Sequence, residues 1–179
     1  MKSNDKTGLM LFSDRIEKYL PPGKGVSHAM RLLREVVGHI PAGEGTDLPA
    51  ALETLGRTLK RRSVLFLLSD FQAPGDFRPA LQRLARRHDV IALLLRDPSL
   101  EELPRGGLMT FHDPETHQDF LLDTACPRTR AAYRQRIQRE QAERERQLSA
   151  LGVDTLPLSL GEDVLRKLSV FLQRRARRL

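Results

Sequence analysis

Two short segments hold the residues best suited to chemistry. Gly45-Thr46-Asp47-Leu48-Pro49-Ala50-Ala51-Leu52 opens a helix with a hydroxyl and a carboxylate. Val64-Leu65-Phe66-Leu67-Leu68-Ser69-Asp70-Phe71 is an apolar strand that ends in Ser-Asp. In open α/β sheets, ligands bind outside the carboxyl ends of the strands, and Asp70 stands at such an end. A hard cation such as Mg²⁺ takes oxygen ligands and keeps several waters. Thr46 and Asp70 could supply two of those ligands, directly or through water. The structural alternative is that Thr46 only caps its helix and Asp70 only caps the next turn.

Other candidates are weaker. His112 and His117 lie near Asp113, Glu115 and Asp119, but a spacing of five fits no standard zinc pattern. A solvated turn is the expected reading. Pro22-Gly23-Lys24-Gly25 lacks the Ser/Thr that a phosphate loop places after its lysine, and reads as a turn. Ser69 has no Gly-x-Ser-x-Gly elbow around it. Cys126 precedes Pro127 at a helix start, where a thiol pKa can fall, but no partner base is identifiable.

The elements that must position these residues follow from periodicity. Residues 8–13 read as a strand, and Ile16 to Leu20 as a half-buried antiparallel partner ended by Pro21-Pro22-Gly23. Met30, Leu33, Val36, Val37 and Ile40 repeat at helical spacing, and Pro41 stops that helix. Thr46 or Asp47 caps the next, whose apolar face is Leu48, Ala51, Leu52, Leu55 and Leu59. Residues 64–68 are continuously apolar, as in a strand covered on both faces. A helix around Phe77 to Ala85 and a second buried strand, Val90 to Leu95, come next. This alternation predicts a parallel sheet.

Residues 108–111 and 120–122 flank the turn-rich Asp113-Pro114-Glu115-Thr116 and predict a hairpin. A long, sparsely apolar helix over about 128–151 ends at Gly152. Residues 153–158 form a last strand. Ser159-x-x-Glu162 is read as a capping box for a final helix with the stripe Leu165, Leu168, Phe171, Leu172, Ala176, Leu179.

Composition bounds the function classes. The chain has 179 residues, 40% of them hydrophobic, enough for one domain with a core of its own. One cysteine permits no intrachain disulfide, so a reducing, cytoplasmic compartment is expected. No apolar run is long enough to cross a membrane. The net charge is +7. Residues 127–179 carry 13 Lys/Arg against 6 Asp/Glu, whereas residues 1–126 carry 17 of each. The excess therefore sits in the last third, a pattern that can mark a polyanion-binding surface. With Tyr133 as its only aromatic before the last helix, that region lacks the interleaved stacking residues that aid nucleic-acid binding. Nucleic acid is not the expected partner.

Several segments resemble the von Willebrand factor A-like domain. The resemblance is closest to the bacterial "domain of unknown function fifty-eight" proteins that accompany MoxR-type AAA+ ATPases. The matching stretches include Gly8 to Arg15, Gly45 to Leu52, Leu68 to Phe71, Arg86 to Ala92, Arg96 to Pro98, Glu101 to Pro104, Asp113 to Thr116, Asp123-Thr124, Arg130 to Tyr133 and Gly152 to Asp154. They run in order over nearly the whole chain.

The resemblance implies a single von Willebrand factor A-like domain over residues 1–179. Its fold would be α/β, a three-layer, mostly parallel doubly wound sheet with an antiparallel edge strand and an inserted β-hairpin. It implies six strands in the main sheet. It also implies a metal-ion-dependent adhesion site, in which Thr46 and Asp70 match two of three parts. The third, Asp-x-Ser-x-Ser, belongs to a first, central strand that has no counterpart in this sequence. Two oxygen ligands are then expected to hold Mg²⁺ weakly. The absent strand would leave two unpaired edges, inviting a homodimer or a rearranged sheet. The function implied is a non-enzymatic interaction domain that partners a MoxR-type AAA+ ATPase in protein assembly or activation. The competing expectations are a hydrolase acting at the strand carboxyl ends and a polyanion binder using the C-terminal arginines.

Overall fold

The structure, a computed structural model, describes residues 5–112 and 118–177. The predicted turn at 113–116 and His117 lie outside the described residues, as do Arg178 and Leu179. The chain divides into two compact units, one comprising Met1–Ser63 and Gln72–Arg87, the other Val64–Phe71 and His88–Leu179. Among the described residues no helix is long and apolar enough to cross a membrane.

The first unit begins with an antiparallel hairpin of β1 (Thr7–Phe12) and β2 (Ile16–Gly23). Leu9 pairs with Leu20, Met10 with Tyr19 and Leu11 with Lys18. β2 runs on through Pro21 and Pro22, where the sequence predicted its end. Proline lacks a donor but is tolerated on an edge strand, and β1 is the only described partner of β2.

Three helices complete this unit: α1 (Val26–Gly38), α2 (Leu48–Thr58) and α3 (Arg78–Arg87). α1 departs from expectation in the face it covers. Its buried residue is Leu32, while Met30, Leu33, Val36, Val37 and Ile40 are exposed. Helical spacing locates an apolar stripe, but a neighbouring surface decides whether the stripe is covered. α2 behaves as predicted, burying Leu48, Ala51 and Leu52, and α3 buries Ala80, Leu81 and Leu84.

The second unit is built on a three-stranded parallel sheet in the order β3 (Val64–Ser69), β4 (Asp89–Arg96), β7 (Asp154–Ser159). Phe66 lies beside Ile91 and Leu68 beside Leu93, while Leu93 pairs with Leu156 and Leu95 with Leu158. Ile91, Leu93, Leu156 and Leu158 form one buried cluster, against which Leu168 and Phe171 of α5 (Val164–Ala176) pack.

The covering stops short of β3. Val64, Phe66 and Leu68 share that sheet face but are 55%, 43% and 56% exposed. The expectation of a strand covered on both faces therefore fails at 64–68. Only the alternate position Leu65 is buried outright.

β5 (Leu108–His112) and β6 (Asp119–Asp123) form the predicted hairpin as a separate antiparallel pair. A long helix, α4 (Pro127–Ala150), follows and ends where Gly152 takes φ 74°. It is mostly solvated, as read from its sparse apolar positions, and its anchor is Leu148, wholly buried. Arg136–Glu140 at 2.8 Å and Arg96–Glu145 at 2.5 Å tie its charged faces.

The predicted capping box is half present. Glu162 Oε1 accepts from the Ser159 backbone N–H at 2.5 Å, but α5 starts later, capped by Asp163, which accepts from the Arg166 N–H at 3.0 Å. The architecture is thus mixed α/β, and the described residues form one parallel sheet of three strands and two antiparallel pairs where the resemblance implies a main sheet of six.

Candidate functional site

Thr46 sits at the entry to α2 in the first unit. The cap is not Thr46 but Asp47, whose Oδ1 accepts from the Ala50 N–H at 2.9 Å. Asp47 does this with Pro49 in the helix's first turn, where a missing N–H costs nothing. The half-buried Thr46 is thereby relieved of the capping role that supplied its structural explanation.

The loop before it is clamped by a side chain that periodicity could not single out. Glu17, whose side chain is 6% exposed, takes the Ser13 hydroxyl at 2.5 Å and the backbone N–H groups of Gly43 and Ala42 at 2.8 and 3.2 Å on its Oε1. Its Oε2 lies 3.8 Å from His39 Nε2. The Asp47 N–H donates to the Ser13 carbonyl at 2.8 Å. A Cβ at position 43 would stand 1.9 Å from Asp14 Oδ1 and 2.4 Å from Ser13 Oγ, so any larger residue there must displace these two side chains. The hairpin turn and the loop that delivers Thr46 are therefore one hydrogen-bonded assembly.

The Ser13 hydroxyl is the largest influence holding the Glu17 carboxyl below its ordinary value of 4.5, followed by the Gly43 N–H. A carboxylate with a lowered folded-state pKa stabilises fully above its unfolded value, and that contribution disappears as pH falls through the folded value. Glu17→Gln will therefore flatten the loss of thermal stability below pH 4.5 while lowering Tm at neutral pH. Thermal melts across an acid series check this. Parallel pH profiles for the two proteins would remove Glu17 from the clamp.

Asp70 follows β3 in the second unit and is exposed. Arg144 Nη1 donates to its backbone carbonyl at 3.3 Å. The next residue, Phe71, has φ 56° although it carries a bulky side chain. Two features hold it in this left-handed conformation. The residue is 3% exposed, and its N–H donates to Ser69 Oγ at 2.9 Å. Ser69 is thus a turn-former. The strain falls on the residue that follows Asp70.

As a cation site the donor set is poor. The single hydroxyl of Thr46 in one unit and the single carboxylate of Asp70 in the other each fall far short of the six oxygens Mg²⁺ prefers. No group of three or more His, Cys, Asp or Glu side chains among the described residues is suited to a metal. In the hairpin, His112 Nδ1 lies 2.9 Å from Asp119 Oδ1, a cross-strand pair. Cys126 stands at the start of α4, where the Thr129 backbone N–H, the Thr129 hydroxyl and the Arg128 N–H lower its thiol pKa.

The C-terminal basic residues are partly committed to structure. Arg175 bridges Asp89 and Asp154, with Nη1 at 3.0 Å from Asp89 Oδ2 and Nε at 2.5 Å from Asp154 Oδ2. Lys167 pairs with Glu162 at 2.8 Å.

Comparison with known proteins finds several relatives. "Uncharacterized protein Rv1480" of Mycobacterium tuberculosis is 28% identical over 181 residues, covering 97% of this chain and 55% of its own length. "Uncharacterized protein Mb1516" of Mycobacterium bovis is similar to the same degree. "Uncharacterized protein MAV169" of Mycobacterium avium is 28% identical over 162 residues, covering 88% of this chain and 94% of its own length. The chain spans about half the length of the first two. No solved structure matches it significantly. The family described as "Protein of unknown function DUF58" matches residues 1–143. Since that match runs from before the first hairpin into α4, the chain belongs to the DUF58 family.

Proposed function

We propose that this chain is a non-enzymatic protein-interaction domain of the von Willebrand factor A-like type. In this reading it works in the cytoplasm beside a MoxR-type AAA+ ATPase, in assembling or activating another protein. The observation that carries the reading is β3. It has one hydrogen-bonded partner among the described strands, β4. Its Val64, Phe66 and Leu68 extend the apolar face that α5 covers on β4 and β7. An apolar strand with a free edge is a template for pairing with a strand of another chain. That chain is the partner protein or a second copy of this one.

The test is a titration with a purified MoxR-type ATPase, read by light scattering. Wild type is expected to bind and Phe66→Lys to lose binding while keeping its far-UV circular dichroism. A wild-type chain that stays monomeric and ignores the ATPase sinks the reading.

On this reading Thr46 in the first unit and Asp70 in the second each match a part of an adhesion-type cation motif, and neither brings enough oxygen ligands of its own to hold Mg²⁺ tightly. Millimolar Mg²⁺ is expected to raise Tm by less than about 1 °C, because a ligand below its dissociation constant adds little stability. Asp70→Ala should respond identically. A large Mg²⁺ stabilisation that vanishes in Asp70→Ala would show the site to be competent.

A further inference from the structure

Within the first unit, α2 and α3 lie side by side and run in the same direction. Arg83 Nη2 meets Glu53 Oε1 at 2.9 Å, and one turn further along both helices Arg87 Nη1 meets the Gly56 carbonyl at 3.5 Å. Between them is a groove of about 500 Å³. Its floor is apolar and buried: Leu52, Ala80 and Leu84. Gly56 keeps the floor open. A Cβ there would sit 3.4 Å from Leu84 Cδ2, so any longer side chain would project into the groove.

The rim is strongly basic. Arg57, Arg83, Arg86 and Arg87 line it against one carboxylate, Glu53. Glu53 is already shared by Arg57 at 3.5 Å and Arg83 at 2.9 Å. Lys60, Arg61 and Arg62 follow directly after α2 and are exposed or nearly so. Segments 53–62 and 80–87 together hold seven Lys/Arg and a single acid. Arg57, Arg86 and Arg87 stand in the last turns of their helices, where cations suit the helix dipole, but that effect falls off within the last turn. Arg83, Lys60, Arg61 and Arg62 have no such role. The even balance of charge over residues 1–126 conceals this concentration.

We propose that the α2–α3 groove docks an acidic segment of a protein partner, with an apolar side chain on the floor and carboxylates on the arginine rim. Guanidinium forks match carboxylates bidentately, and Leu52, Ala80 and Leu84 match the apolar anchor. Nucleic acid fits less well. No aromatic side chain lines the groove to stack on bases, and a phosphodiester has nothing to place on an apolar floor. The proposal rests on the reading of the chain as a protein-interaction domain, but it uses a surface other than β3.

Fluorescence anisotropy of the full chain at physiological ionic strength tests it, with two labelled probes. One is a synthetic peptide of repeated Glu-Glu-Leu triplets; the other is single-stranded polyuridylate. The peptide is expected to bind more tightly. Arg86→Gln with Arg87→Gln, which removes charge-assisted contacts at the rim, and Gly56→Leu, which fills the floor and shuts out the apolar anchor without changing charge, should each weaken the peptide about tenfold. Far-UV circular dichroism verifies that each variant is folded, and the comparison of probes on wild type needs neither variant.

Tighter polyuridylate binding overturns the partner class. Peptide binding indifferent to Gly56→Leu reduces the groove to diffuse surface charge and overturns the site. Absence of peptide binding by folded wild type overturns the proposal outright. A wild type that ignores the peptide but binds the ATPase through β3 removes this inference alone, whereas one that binds the peptide but ignores the ATPase removes the ATPase reading alone.

Discussion

Ile91→Ala is expected to cost about 3–4 kcal/mol of unfolding free energy, the upper part of the range for truncating a fully buried aliphatic side chain. Ile91 has no exposed surface and lies on β4, the middle strand of the parallel sheet. Phe66 flanks it on one side and Asp154 on the other, and Leu93, Leu156, Leu158, Leu168 and Phe171 complete the cluster around it. Strands paired on both sides cannot shift to fill the space left, so the cavity term adds to the lost transfer energy. Urea unfolding should show a lower midpoint at unchanged slope. Leu165→Ala, at a position 79% exposed in α5, is the matched control and should change stability by less than about 0.5 kcal/mol. Equal effects at the two positions would mean that the α5 packing is wrongly assigned.

The second large effect is expected at Arg175. Its side chain is 18% exposed and stands between Asp89 at the start of β4 and Asp154 at the start of β7. Nη1 and Nη2 grip the two oxygens of Asp89, and Nε takes Asp154. Arg175→Ala leaves two neighbouring carboxylates without their shared cation. Breaking a buried pair costs up to about 5 kcal/mol, but Asp154 is 45% exposed and water compensates part of the loss. A cost of about 2 kcal/mol follows. Arg175→Lys keeps the charge but cannot reach three acceptors with one fork, and should recover less than half. A double-mutant cycle with Asp89→Ala should show strong coupling, and additive effects would remove the bridge from the account. Arg175 is one of the basic residues that make the last third of the sequence look like a polyanion site, and here it secures two strand ends.

The secondary structure was largely legible, because long apolar periodicities and Gly or Pro stops are local. β4, α2, α4 and the 108–123 hairpin fell where the pattern put them. Coverage was not legible. Val64 to Leu68 is apolar at every position, so nothing in the run says which face is bare. α1 has a clean stripe whose exposure depends on what lies against it. Caps were read to within a few residues: Thr46 and Asp47 are both good cap residues, and only geometry chose Asp47.

The site was half legible. Asp70 and Thr46 are conspicuous for their types and places. Glu17 is not, since its partners at 39–43 lie more than twenty residues away and two of them are backbone amides. Its one local sign is a charged residue inside an alternating strand pattern. The groove arginines were visible as residues, but a charge count over 126 positions averaged them away.

The two units are interleaved along the chain. β3 belongs to the second, the next sixteen residues to the first, and everything from His88 onward to the second again. During synthesis β3 therefore emerges long before β7, its co-member in the sheet, and β4 waits about sixty residues for its second neighbour. Neither unit can be cut away at a single peptide bond and leave the other whole. Limited proteolysis of the native protein should accordingly give nicked molecules that hold together under native conditions and separate only on denaturation.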